Sequence, residues 1–414
     1  VRLLLTTQPI YSHLVPALVP LAHVARAAGH EVAVATAASM ADELARHGVA
    51  HLPLPNVPGQ VELRSDPRLA ERFGLPQQLM APGRRSVDPA VWRQIARAYA
   101  GPIAGHFAAD LLDVAGRWRP DVIVREPAEY GGYLTAERLD IPHATLDISP
   151  FAALDLPVVV DALDEQRVAL GLPSTADPWH PHRHLRAGLI PEAFYPPSLR
   201  PVGGRYYRPP TPTDDAPMDP WYADLPADRP LVLASLGSLV LSLPGIPDVL
   251  PLVVAALGEL PCTAVVSLGG YAELTERIGT VPENVRLTPF VPQRTLLPAC
   301  DLFLTHAGFN STGEAVAAGV PMVAVPAVAD QPPNARRIAE LGLGLRLDID
   351  DLSVARIADA CRQVLTEPAY RWRVRALQRQ LLANPGFERL VADLAELAVL
   401  ARPVEPARRV SPLR

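Results

Sequence analysis

Leu3–Leu5 form the apolar centre of a run at 2–7, apolar positions then thin to a helical stripe of Leu14, Leu18, Leu21 and Ala25, and Val32–Ala35 centre a second run at 31–36. The pattern predicts a strand, a helix over 16–28 stopped by Gly29, and a second strand, the opening of a βαβ unit. It recurs as a strand at 121–124, a helix near 131–138 and a strand at 143–147. The first half is therefore expected to be an open parallel sheet with helices on both faces. A second alternation starts at Leu231, with strands at 231–235, 263–267, 285–288, 301–305 and 322–325 and helices near 249–260 and 311–318. Between the halves, residues 201–230 are too rich in Pro and Asp for regular structure and read as a semi-rigid linker. Near the end, a helix over 387–400 carries Leu390, Leu394, Leu397 and Ala398 with acidic residues between them. The tail over 402–414 reads as a solvated end.

The expected class is α/β, with two doubly wound domains facing each other across a cleft that holds the chemistry. Composition agrees: 414 residues, 49% of them hydrophobic, allow two or three domains with large cores. A net charge of −6 gives no electrostatic reason to expect nucleic acid or an anionic membrane. Cys262, Cys300 and Cys361 fall in apolar segments outside any CxxC spacing, as reduced thiols of a cytoplasmic protein would. The chain opens on a strand without a signal-type apolar region, and no stretch of about 18 apolar residues follows. The expectation is a cytoplasmic protein with no membrane insertion.

The stretch 300–334, CDLFLTHAGFNSTGEAVAAGVPMVAVPAVADQPPN, joins a strand, a turn at 306–310, a helix stopped by Gly319, and a second polar loop. Ser311 and Glu314 have capping-box spacing. The free N–H groups around 310–313, with the positive end of the helix dipole, suit a phosphate or diphosphate. Neither a Walker A sequence nor GxGxxG is present, so another anion-binding turn is implied.

This stretch resembles the donor-binding signature of GT-B inverting glycosyltransferases, in particular the family 1 enzymes that glycosylate antibiotics and other natural products. The resemblance extends to Phe290-Val291-Pro292-Gln293, Asp330-Gln331, Ser12-His13-Leu14-Val15-Pro16, residues 120–142 and 197–201, and Ser235-Leu236-Gly237-Ser238. Residues 55–115 and 150–190 match only loosely. It implies a GT-B fold with an acceptor domain at 1–208, a linker at 209–229, a donor domain at 230–385 and a helix at 386–402 that returns to the first domain. The implied reaction moves a sugar, in particular a deoxysugar, from a dTDP- or UDP-sugar to a hydroxyl of a hydrophobic aglycone. Neither a cofactor nor a metal is implied, and the sequence leaves the oligomeric state open between monomer and homodimer.

Residue roles follow from the same resemblance. His13, in the loop after the first strand, corresponds to the base that deprotonates the acceptor; the alternative is a histidine that orders the turn before Pro16. Glu126 stands where relatives carry the aspartate that supports this base, with Glu129 as a second candidate and Arg125 as a structural partner of either acid. Ser12 replaces a family glycine, and Ala307 another. On the donor side, His306 corresponds to the histidine that bonds a diphosphate oxygen, with Ala307, Gly308, Asn310, Ser311 and Thr312 forming the anion turn. Gly237 and Ser238 approach the phosphates from the other loop, and Phe290 and Val291 meet the base unless they are core. Glu314 takes the ribose hydroxyls, the capping box, or both. Asp330 and Gln331 read the sugar, with weaker contacts from Gln293 and Asn334. Phe73, Leu79, Trp92, Phe151 and Trp179 are the aromatic and apolar candidates for the acceptor pocket.

Two further patterns resemble metal sites. His180, His182 and His184 lack a fourth ligand, and Asp348, Asp350 and Asp351 read better as a turn before a helix capped at Asp351 or Ser353. The rival readings are a nucleotide-sugar epimerase, a cell-wall glycosyltransferase acting on a lipid carrier, and an inactive GT-B-like binding protein.

Overall fold

A computed structural model describes residues 1–77, 84–150, 157–200, 203–210, 218–237, 241, 243, 246 and 248–400. The first sheet contains β1 (Arg2–Thr6), β2 (Glu31–Ala37), β3 (His51–Leu54), β4 (Val122–Arg125), β5 (His143–Leu146), β6 (Leu185–Gly188) and β7 (Arg205–Tyr206). The second contains β8 (Leu231–Ser235), β9 (Thr263–Ser267), β10 (Val285–Thr288), β11 (Leu302–Thr305), β12 (Met322–Ala324) and β13 (Gly344–Arg346). Both are parallel, with orders β3-β2-β1-β4-β5-β6-β7 and β10-β9-β8-β11-β12-β13. In each, the order reverses at one pair, β1 with β4 and β8 with β11, where Thr6 faces Arg125 and Thr305 faces Ser235. Loops leaving such a pair diverge to opposite faces and open a crevice beyond the strand ends.

Four strands were not predicted, and each has a reason. β3 and β13 are short edge strands, and β3 carries Pro53, tolerable where no neighbour needs its N–H. β6 is interrupted by Arg186, whose Nε donates to Asp147 at 2.7 Å inside the domain. β7 lies within the stretch read as linker. It is held by Tyr207, whose hydroxyl donates to Asp393 in the helix Phe387–Leu400, and by Arg205, which pairs with Asp393 at 2.6 Å.

The first helix also differs from the reading. It begins at Tyr11–His13, widens into a π turn over Leu14–Leu18, and continues as Val19–Ala27. Pro16 lacks the N–H an α turn needs, and the wider turn accommodates it, so His13 is helical rather than in a loop. One buried cluster runs from Leu18, Leu21 and Ala22 through Leu390 and Leu394 to Phe303 and Phe309, so the helix Phe387–Leu400 packs on the first domain while joining the second.

Polar contacts also cross between domains. Asp350 accepts from the Arg85 N–H and the Ser86 hydroxyl, both at 2.6 Å, and pairs with Arg84 at 2.9 Å. Arg337 donates to the carbonyls of Phe194 at 2.9 Å and Ala193 at 2.8 Å. Ser353, accepting from the Arg356 N–H at 3.3 Å, is the cap of the helix Val354–Thr366. Asp350→Ala should therefore speed hydrogen exchange at the Arg85 amide and cost about 1–3 kcal/mol in urea unfolding. Unchanged exchange at Arg85 would remove Asp350 from the set of inter-domain ties.

Candidate active site

The pairing of β1 with β4 sets the first half of the site. Thr6 and Arg125 are register partners, so the residues that follow each strand emerge side by side, and the Glu126 N–H continues the ladder to Thr6 O at 3.2 Å. His13 Nδ1 lies 3.1 Å from Glu126 Oε1. The same oxygen accepts from the Gln8 N–H at 3.2 Å, and Oε2 accepts from the Ala128 N–H at 2.6 Å. A carboxylate only accepts, so Nδ1 carries the proton and the Nε2 lone pair is left for another partner. Glu126 is fully buried while the His13 side chain is 22% exposed, which suits a base that meets substrate while its support does not.

Glu129, the other acid considered, is engaged elsewhere. It accepts from Thr6 Oγ1 at 2.5 Å and from the Gly132 N–H at 3.0 Å, and burial pushes its carboxyl up to about 7 against those two bonds. The triple-histidine segment is likewise tied down, His180 Nδ1 lying 2.8 Å from the Tyr133 hydroxyl and His182 Nδ1 2.8 Å from Thr145 Oγ1. Among the described residues no cluster of His, Cys, Asp or Glu is arranged to hold a metal.

On the other side, β11 ends at Thr305 and the chain turns through His306, Ala307 and Gly308 into the helix Phe309–Ala318. Ala307 has φ 61°, a left-handed conformation that strains an L residue; its carbonyl accepts from Asn334 Nδ2 at 3.0 Å. The His306 ring fits between two glycines. A Cβ on Gly308 would lie 2.5 Å from its Nε2, and one on Gly237, 3.0 Å from its Cε1. Burial lowers the His306 imidazole to about 4, while the Ser235 backbone acts in the opposite direction.

The helix starts two residues before the expected Ser311, and the Ser311–Glu314 capping box does not form. Gly308 is the cap position without a side-chain bond. Glu314 instead accepts from Arg294 Nε at 2.7 Å and Gln293 Nε2 at 2.5 Å, and Ser311 Oγ accepts from Gln293 at 3.2 Å. The Thr312 N–H already bonds Gly308 O at 2.9 Å, so the N–H groups ahead of the helical ladder are those of Phe309, Asn310 and Ser311, not those over 310–313. Thr312 is buried, its hydroxyl donating to the same carbonyl at 3.0 Å.

Asp330 and Gln331 open the helix that follows β12. Gln331 Oε1 accepts from the N–H groups of Ala327 at 2.9 Å and Val328 at 3.0 Å, shaping the loop and leaving its amide nitrogen to donate. Asp330 accepts from Asn334 Nδ2 at 2.9 Å and, across the cleft, is hydrogen-bonded to Ser149. Burial raises its carboxyl; Ser149, Asn334 and the nearby His13 act against that rise. Ser149 was not anticipated, since only the meeting of the two domains brings it to Asp330. A second cross-cleft bond, from Asn310 Nδ2 to Ser12 O at 2.8 Å, joins the start of the helix Phe309–Ala318 to the residue before His13.

Phe290 is 72% exposed, which removes the core reading, whereas Val291 is buried. Phe73 is a correction: it is 1% exposed and packs with Leu4, Phe107 and Ile123 under the sheet, so it belongs to the core rather than to an acceptor pocket. Trp92, on the helix Pro89–Ala98, is half-buried. Trp179 lies under the Arg186 guanidinium, 5.6 Å from the ring centre. Leu79, Phe151 and Ser238 lie outside the described residues.

His306 makes stability depend on pH in a defined direction. Its folded imidazole titrates at about 4, below the ordinary 6.5, so between these values the unfolded chain binds more protons. Its contribution is complete above pH 6.5 and is lost as the pH falls toward 4. His306→Gln should flatten that part of the urea-unfolding profile between pH 7 and pH 4.5; an unchanged slope would show the ring is not held neutral.

Among known proteins, residues 23–154 match the family described as erythromycin biosynthesis protein CIII-like, N-terminal domain, and residues 251–397 match its C-terminal domain. The chain is 32% identical to the L-demethylnoviosyl transferase of Streptomyces niveus, over 98% of this chain and 100% of that protein. It is 29% identical to the 10-deoxymethynolide desosaminyltransferase of Streptomyces venezuelae, over 97% and 98%. The crystal structure of glycosyltransferase VinC in complex with dTDP has a TM-score of 0.73 at 24% identity, covering 97% of this chain and 100% of that one. Two parallel sheets with facing switch points and these full-length likenesses lead to one assignment: the chain belongs to the erythromycin biosynthesis protein CIII-like family and is a glycosyltransferase of GT-B fold.

Proposed function

We propose that the enzyme is an inverting, metal-independent transferase that moves a deoxysugar from a dTDP-linked, or less readily a UDP-linked, donor to a hydroxyl of a hydrophobic natural-product aglycone in antibiotic biosynthesis. The observation that carries this reading is the cross-cleft contact of Asn310 with Ser12 at 2.8 Å, which sets the phosphate helix against the residue before a histidine supported by a buried carboxylate. The sugar and dTDP preferences follow the relatives named above. Residues 1–208 bind the acceptor and 230–385 the donor, with 209–229 joining them and 386–402 closing back on the first domain. The protein works in the cytoplasm as a monomer or homodimer; no described helix is long and apolar enough to cross a membrane.

In this reading His13 Nε2 takes the proton of the acceptor hydroxyl as its oxygen forms a bond to the anomeric carbon. The bond from that carbon to the diphosphate breaks on the opposite face, which inverts the centre. Glu126 stabilises the imidazolium through Nδ1. The leaving diphosphate gathers charge against His306 and the N–H groups of Phe309, Asn310 and Ser311. Gly237 lets that ring lie close, Asp330 and Gln331 take sugar hydroxyls, Glu314 faces the ribose, and Phe290 offers a face to the base.

Calorimetry with dTDP and UDP should give micromolar binding that survives EDTA and collapses in His306→Ala. Loss of binding in EDTA would overturn metal independence, and unchanged binding in the variant would remove His306 from the donor site. In a transfer assay, His13→Ala should lower kcat by about 10²- to 10⁴-fold with nucleotide affinity unchanged. A loss confined to donor affinity would reassign His13.

A further inference from the structure

Arg125 is fully buried at the end of β4, one residue before Glu126. Its NH1 donates to three carbonyls, those of Glu126, Pro127 and Glu129, each at 3.3 Å. NH2 donates to Pro181 O at 3.0 Å, and the guanidinium lies 5.5 Å from the centre of the Tyr130 ring. None of these partners is a carboxylate. A guanidinium meeting Glu126 directly in a bidentate pair would occupy the oxygens that hold His13 and the Ala128 N–H. Here NH1 is taken by backbone oxygens of the loop that carries Glu126 and NH2 by Pro181, Nε has no partner among the described residues, and the charge remains close to two buried carboxylates, Glu126 and Glu129.

The Pro181 contact extends this support. Pro181 lies in the turn His180–His182, whose histidines are bonded to Tyr133 and Thr145, so the loop over 126–129 is tied through Arg125 to a second, well-anchored segment. A neutral side chain could fill the same volume. A planar cation can gather these four carbonyls and set its charge near Glu126 without taking that residue's hydrogen-bonding positions.

We propose that Arg125 is a positioning residue for the base, holding the 126–129 loop so that Glu126 keeps the His13 proton on Nδ1 and its Nε2 free. This rests on the His13–Glu126 pair proposed above. The role is distinct from that of Glu126, since Arg125 touches neither His13 nor substrate and acts only through the loop and its charge.

The test needs no substrate. Nitrogen-15 NMR of the histidine rings in the full chain, with His13 assigned by comparison with His13→Ala, reports which ring nitrogen carries the proton. Wild type should hold the Nδ1–H form. Glu126→Ala should move the population toward Nε2–H, the solution preference, and Arg125→Met should move it the same way. In the double variant Arg125→Met should add nothing to Glu126→Ala, because its effect passes through that carboxylate. Amide peak dispersion of the first domain and its urea-unfolding transition check that each variant is folded; if Arg125→Met is not, Arg125→Lys, which keeps the charge but loses the fork, carries the same comparison and should give a partial shift. A wild-type His13 spectrum in the folded Arg125 variant, or a shift added on top of Glu126→Ala, would overturn the proposal. If Glu126→Ala itself leaves His13 unchanged, the failure belongs to the pair, and the role of Arg125 goes with it.

Discussion

The parallel pairing of β1 with β4, and of β8 with β11, is what the rest of the site depends on. Each pair is the point where strand order reverses, so the loops beyond it part and leave a crevice at the strand ends. In the first domain the segments that follow these strands carry His13, on the first helical turn, and Glu126; in the second they carry Gly237 and His306. Residues far apart in sequence are thus brought together by hydrogen-bond register before any side chain is chosen. The bond between Asn310 and Ser12 then joins the two crevices, and the cluster that includes Leu18, Leu390 and Phe309 keeps the domains in contact on the covered side.

Around these crevices the two histidines are treated differently. His13 keeps some exposure and faces a buried carboxylate 3.1 Å from its Nδ1. His306 sits against two glycines, without a carboxylate among the groups that shift it, and burial lowers its pKa to about 4. An anion brought against the second ring would supply the charge that the protein withholds. In the proposed reaction the first ring is the one that takes a proton from the acceptor and the second the one that meets the negatively charged diphosphate.

Most of this architecture was legible in the chain. The apolar runs of β1, β4, β8 and β11 and the stops at Gly29 and Gly319 are local signals, and the positions of His13, Glu126 and His306 follow from being next to them. The errors came where local rules competed. Ser311 and Glu314 have capping-box spacing, but Gln293 and Arg294 claim them, and the chain enters its helix at Phe309 instead. Pro16 looked like a helix start because a π turn is not visible in a hydrophobic stripe. Phe73 looked like a pocket residue because burial under a sheet and burial against a ligand favour the same side chain. The partners Asp350 with Ser86 and Asp330 with Ser149 had no signal, since they depend on the relative placement of two domains.

The surroundings of Asp330 bear on the sugar-reading role proposed for it. Its carboxylate is not an empty acceptor, because Asn334 within its own helix and Ser149 from the opposite domain already bond it. A sugar hydroxyl that replaces Ser149 exchanges one hydrogen bond for another, so the net gain from that contact is only about 0.5–1.5 kcal/mol. Discrimination must then come from the cost of a hydroxyl that is missing or misdirected, which would leave a buried carboxylate short of a donor. Under the proposed role of Asp330, donor selectivity is set less by added attraction than by the penalty for failing to replace the bond that Ser149 already supplies.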